Sequence, residues 1–118
     1  MKTVLLVDDE ETLRQNLEAT LEKKGFQVIP ASGGHEAIRI FQEKSIDLVV
    51  TDFRMAEGTG EELLLFVKHS ERASVPVIMM TGFSETPETV LLQKGAFAVL
   101  SKPFSRSKFL EAISEALK

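Results

Sequence analysis

Residues 4–11, Val4-Leu5-Leu6-Val7-Asp8-Asp9-Glu10-Glu11, run from four apolar side chains straight into four acids. The apolar half lacks polar alternation and reads as a strand covered on both faces, as in a parallel sheet. The acidic half crowds like charges at the strand's end, which requires a physical reason. Working outward, four more apolar runs of strand length occur at 26–29, 46–50, 75–80 and 96–100, alongside the first at 3–7. The intervals carry helical spacing. Leu13, Leu17 and Leu21 repeat every four residues, and Gly25 follows Lys23-Lys24 as a stop. Ala37, Ile38 and Phe41 form a second stripe, Leu63, Leu64 and Val67 a third, and Phe109, Ile113 and Leu117 a last one. A shorter helix is expected from Thr86-Pro87, with Thr86 as cap and Pro87 at the first helical position, to Gly95. A strand-helix unit repeated five times requires a parallel sheet with right-handed crossovers and helices on both faces, a doubly wound α/β domain.

Composition bounds the function. At 118 residues the chain is long enough for one self-sufficient core, so a single domain over 1–118 is expected. The formal net charge of −4 gives no electrostatic reason to approach nucleic acid or an anionic membrane. Cysteine is absent, which excludes disulfides and thiolate metal sites. The apolar run in MKTVLLVDDE is too short for a signal peptide, and no run approaches the ~20 residues of a membrane span, so a cytoplasmic location is expected.

In a doubly wound sheet, ligands sit outside the carboxyl ends of the strands. Here strand one ends in Asp8-Asp9, strand three in Thr51-Asp52, strand four in Thr81-Gly82 and strand five in Ser101-Lys102-Pro103, while strand two ends blandly at Pro30. Each residue alone has an ordinary explanation; Asp9, for instance, could cap the helix that holds Leu13. Capping does not explain three carboxylates, a hydroxyl and an ammonium converging on one rim. Crowded carboxylates either retain a proton or share a cation, and a hard divalent ion such as Mg2+ is the simpler solution. Lys102 and Thr81 then face whatever anion the metal attracts, and a carboxylate in that setting is placed to attack phosphorus.

VLLVDDE, DLVVTDFRM, VIMMTGF and GAFAVLSKPF, in this order and spacing, resemble the receiver domain of bacterial two-component response regulators over essentially the whole chain. The resemblance implies a flavodoxin-like (βα)5 sandwich with strand order 2-1-3-4-5. It implies a phosphoacceptor domain, not an enzyme, that assists only its own phosphorylation and dephosphorylation. Asp52 would accept phosphate from a sensor histidine kinase or phosphotransfer protein. Asp9, Asp52 and the backbone carbonyl of Arg54 would ligate Mg2+ directly, with Asp8 acting through a metal-bound water. Lys102 would contact the phosphoryl group, aimed by a cis Lys102-Pro103 peptide. Thr81 would move toward it, switching the face of the fourth helix, fifth strand and fifth helix for a downstream target, an output module or a phosphorylation-dependent homodimer.

The sequence departs from the family pattern in three places. Ala56 replaces the usual proline four residues after the phosphoacceptor. Val99 stands where an aromatic usually precedes the lysine by three, and bulky Arg54 and Phe83 hold positions that tune phosphoryl lifetime. Two other classes compete. A phosphohydrolase of the haloacid dehalogenase type wants a second acid at the position of Arg54, and a flavodoxin-like cofactor module wants a hydroxyl- or glycine-rich first loop, where DDEE would repel phosphate. His35 and His69 lack partners at ligand spacing and read as solvated surface. Leu65 and Phe66 cannot both face the core, so one of them is expected to be partly exposed.

Overall fold

The structure, a computed structural model, describes residues 1–82 and 87–118. Five strands and five helices alternate: β1 (Thr3–Val7), α1 (Glu11–Lys23), β2 (Gln27–Ala31), α2 (Gly34–Glu43), β3 (Leu48–Asp52), α3 (Gly60–Lys68), β4 (Val77–Thr81), α4 (Glu88–Gln93), β5 (Ala98–Ser101) and α5 (Arg106–Ala116). All strand pairs are parallel and the order is β2-β1-β3-β4-β5.

Strand side chains alternate between the two faces, and the core divides accordingly. Leu5, Val7, Val49, Val77 and Met79 pack with Ala37, Phe41, Leu63, Leu64, Val67 and Leu91, so α2, α3 and α4 cover one face. Val4, Leu6, Leu48, Val50, Ile78 and Met80 pack with Leu17, Leu21, Phe109 and Ile113, so α1 and α5 cover the other. β3 and β4 are buried along their whole length, which accounts for the apolar runs Leu48-Val49-Val50 and Val77-Ile78-Met79-Met80 within them.

The boundaries of five elements differ from the sequence reading. β2 continues through Pro30 to Ala31; it is an edge strand, where the missing N–H of proline disrupts no ladder on its open side. β3, β4 and β5 begin two residues later than their apolar runs and include the polar residues Asp52, Thr81 and Ser101. Pro87 is the cap of α4, not its first helical residue, with φ −58° and ψ 147°. The expected capping by Thr86 lies outside the described residues. Gly25 (φ 93°) ends α1 as anticipated, with Phe26 N donating to Leu21 O at 3.2 Å and Gly25 N to Glu22 O at 3.0 Å. Leu65 and Phe66 are both half-buried, and Phe66 meets Phe41 edge-on at 6.3 Å. His35 and His69 are exposed.

Candidate functional site

The β1 and β3 ends are adjacent in the sheet, and this places Asp8 and Asp9 beside Asp52. One carboxylate oxygen from each lies within 4.8 Å of the others. Their environments differ. Asp8 is fully buried, Asp52 is 8% exposed, and Asp9 is open to solvent. Asp8 is held by its own loop: Glu10 N donates to its Oδ1 at 2.9 Å, and its amide donates to Ala31 O at 3.1 Å. Arg14 Nη1 donates to the Asp8 carbonyl at 2.8 Å. Asp9 does not cap α1; Glu10 occupies the cap position, and Asp9 Oδ2 accepts from Ala56 N at 3.3 Å. The position where the family has proline therefore uses its amide hydrogen here, which proline lacks.

Lys102 reaches the cluster from the far side of β4. Its Nζ lies 3.2 Å from Asp52 Oδ2 and 3.4 Å from Asp8 Oδ2. The Lys102-Pro103 peptide is cis, and Lys102 N donates to Thr81 O at 2.8 Å, fixing where the lysine departs from β5. Asp52 Oδ1 accepts from Phe53 N at 3.0 Å. Thr81 is buried at the end of β4, beside the strand that carries Asp52. Arg54 is exposed two residues beyond Asp52, and Val99 is half-buried on β5 opposite Met79. Phe83 lies outside the described residues.

The electrostatics reflect the crowding. Burial, reinforced by the Asp8 charge, pushes the Asp52 carboxyl up from 3.8 to about 6, against the opposing pull of Lys102. Burial pulls the Lys102 ammonium down, but the Asp52 and Asp8 carboxylates together outweigh it and leave the group above its ordinary value. A single lysine thus neutralises only part of the cluster. Oxygen donors alone, close enough for one small ion and short of positive charge, fit Mg2+.

Two features of the site escaped the sequence reading. Arg14 is six positions past Asp8, and nothing in its spacing marks it apart from other surface arginines. Gly60 opens α3 against the back of the cluster: a Cβ there would lie 2.1 Å from Asp52 O. A glycine eight residues after the acid was the available signal, but close backbone approach cannot be told from a plain turn without coordinates.

Comparison with known proteins agrees with this geometry. The family model for the response regulator receiver domain matches residues 4–114. The transcriptional regulatory protein GlrR of Escherichia coli is 34% identical over 98% of this chain and 26% of its own length. ZraR of Klebsiella oxytoca is 38% identical over 97% of this chain and 26% of its own. The chain therefore spans about a quarter of the length of these relatives. Among solved structures, a receiver domain protein from Clostridium thermocellum superposes with a TM-score of 0.92 at 34% identity, covering 99% of this chain and 94% of that one. The chemotaxis response regulator CheY4 of Vibrio cholerae gives 0.88 at 30% identity and 99% coverage of both. The hydrolase and flavodoxin-like readings are accordingly not favoured. The chain belongs to the response regulator receiver domain family, the receiving half of two-component phosphorelay signalling.

Proposed function

We propose that Asp52 is the phosphoacceptor. The observation that carries this reading is the meeting of Asp8, Asp9 and Asp52 within 4.8 Å, with Lys102 bridging two of them. A carboxylate oxygen of Asp52 attacks phosphorus, the bond from phosphorus to the donor's histidine nitrogen breaks, and that nitrogen leaves with the electron pair. Lys102, charged throughout the neutral range, stabilises the negative charge on the transferring group. Asp9, Asp52 and the carbonyl of Arg54 would hold Mg2+ directly and Asp8 through water. The metal, when bound, supplies neutralising charge and orients a phosphoryl oxygen.

The domain assists only its own phosphorylation and dephosphorylation, and Arg54 and Phe83 set how long the phosphoryl group lasts. Residues 1–118 act as one receiver. A sensor histidine kinase or phosphotransfer protein is the donor. GlrR, ZraR and GltR of Pseudomonas aeruginosa are named transcriptional regulatory proteins, which supports an output module or target protein as the recipient of the signal, or a homodimer formed on phosphorylation. The recipient face is α4, β5 and α5, where Leu92 and Phe97 are exposed.

Acetyl phosphate with Mg2+ tests the reading. Intact mass should show a single added phosphoryl group on the wild type and none on Asp52→Asn. Steady turnover of unrelated phosphate esters would instead support a hydrolase.

A further inference from the structure

We propose that Arg14 is a positioning residue for the metal pocket, a role that rests on the reading of Asp9 as a metal ligand. Arg14 sits in the first turns of α1, its amide donating to Glu10 O at 3.0 Å. Its guanidinium turns back over the loop it has just left and donates to the Asp8 carbonyl at 2.8 Å. Arg14 also lines a small cleft of about 160 Å3 together with Pro30, Ala31, Ser32 and Glu36. Glu36 Oε1 is already engaged there by Ser32, through its amide at 2.8 Å and its hydroxyl at 3.2 Å.

The consequence follows from peptide planarity. The Asp8 carbonyl and the Asp9 amide belong to one rigid plane, so fixing the carbonyl oxygen fixes the plane from which the Asp9 side chain departs. Asp8 itself needs little help, being buried and held at its amide and at both carboxylate oxygens. Asp9 is exposed, and its side chain is steadied by a 3.3 Å bond from Ala56 N. Arg14 therefore acts on the less constrained of the two adjacent acids, at its root. Outer partners of this kind commonly change metal affinity by 10- to 100-fold, at roughly the low end for an exposed ligand.

Charge and position predict opposite signs, which makes the proposal sharp. A guanidinium near the pocket repels a dication, so its removal tightens metal binding if charge is all that matters. If Arg14 positions Asp9, its removal weakens binding.

The experiment is a Mg2+ titration of the whole chain by amide NMR, with wild type, Arg14→Ala, Arg14→Lys, Arg39→Ala and Asp9→Ala. Arg39 is an exposed arginine on α2 and controls for net charge. Arg14→Ala should raise the Kd by about tenfold. Arg14→Lys, which keeps a donor, should recover part of that loss, and Arg39→Ala should stay within about twofold of wild type. In metal-free protein the Asp9 and Glu10 amides should shift in Arg14→Ala, while core amides such as Val49 stay put. If Arg14→Ala unfolds, the Arg14→Lys titration alone decides, with a Kd raised severalfold expected. A Kd for Arg14→Ala equal to or tighter than wild type overturns the proposal, as does an Arg14→Lys that recovers nothing or, where Arg14→Ala unfolds, an Arg14→Lys Kd equal to or tighter than wild type. Should wild type bind no Mg2+, or Asp9→Ala bind it unchanged, the reading of the acidic cluster fails first and is identified as the failure.

Discussion

Asp52 concentrates the conflict built into this domain. As the proposed phosphoacceptor it must be ionised to attack phosphorus, yet burial and the Asp8 charge hold its carboxyl at about 6 against an ordinary 3.8. The sign of the effect on stability is fixed by proton counting. Between these two values the folded chain keeps a proton that the unfolded chain has released, so this group's stabilising contribution is complete below pH ~4 and is lost as pH rises through about 6. Asp52→Asn, which resembles the protonated form at every pH, should match the metal-free wild type near pH 4 and exceed it at pH 7.5 by about 2–3 kcal/mol. Urea unfolding in the presence of a chelator at the two pH values measures the difference. Parallel stability curves for the two proteins would show that the crowding does not act on Asp52.

At the scale of elements, α3 begins on the back of Asp52, the proposed phosphoacceptor. Gly60 N donates to Phe53 O at 2.9 Å, and the space a Cβ would need is filled by Asp52 O. The helix is fixed there by a reciprocal cap, Glu62 N donating to Thr59 Oγ1 at 3.1 Å and Thr59 N to Glu62 Oε1 at 2.9 Å. The bond from the Thr59 amide holds the Glu62 carboxyl below its usual range. Gly60→Ala should cost at least about 1–3 kcal/mol by overpacking and should displace the end of β3. A thermal midpoint and an Asp52 amide shift both unchanged from wild type would contradict this. Further along, α4 is only six residues long, and Lys94 at its C-cap forms an ion pair with Glu61 of α3. In the proposed switch, Val99 has few χ1 choices and lacks the size to follow Thr81 as an aromatic would. With beryllofluoride and Mg2+, amide shifts should therefore concentrate in α4 while the Val99 methyls stay still. Val99 shifts as large as those of α4 would sink that idea. A repositioning of Phe83 belongs to the same expectation but lies outside the described residues.

These elements also show what was legible before any coordinates. Helical spacing located the five helices and continuous apolar runs the five strands, because a helix buries one stripe while a central parallel strand is covered on both faces. The runs misplaced strand boundaries by about two residues because they report burial, not ladder pairing. Ile46 and Ala96 belong to the core yet precede their strands. Asp52, Thr81 and Ser101 are polar yet close theirs, at the rim that holds the candidate site. The acidic cluster was legible because strand direction alone brings those ends together. Arg14 and Gly60 were not, because each acts through a single backbone oxygen whose direction no spacing rule gives.

For the molecule as a whole, the proposed metal site joins loops that the unfolded chain keeps far apart, since Asp9 and Asp52 meet only through the pairing of β1 with β3. An ion bound this way favours the folded state over the unfolded one. At a free Mg2+ concentration ten times the dissociation constant, folding stability should rise by about 1.4 kcal/mol. The chain has neither Trp nor Tyr, so intrinsic fluorescence is a poor reporter and calorimetry or far-UV circular dichroism should follow unfolding. The gain should be specific to the site. Sodium chloride at matched ionic strength screens charges everywhere on a chain of net charge −4, and its effect must be subtracted. Asp9→Ala should retain the response to salt and lose the response to magnesium. It should also begin more stable than wild type in chelator, because one member of a crowded set of like charges has gone. A magnesium increment of the same size in both proteins would place the ion elsewhere on the surface, and the acids of VLLVDDEE would again be without an explanation.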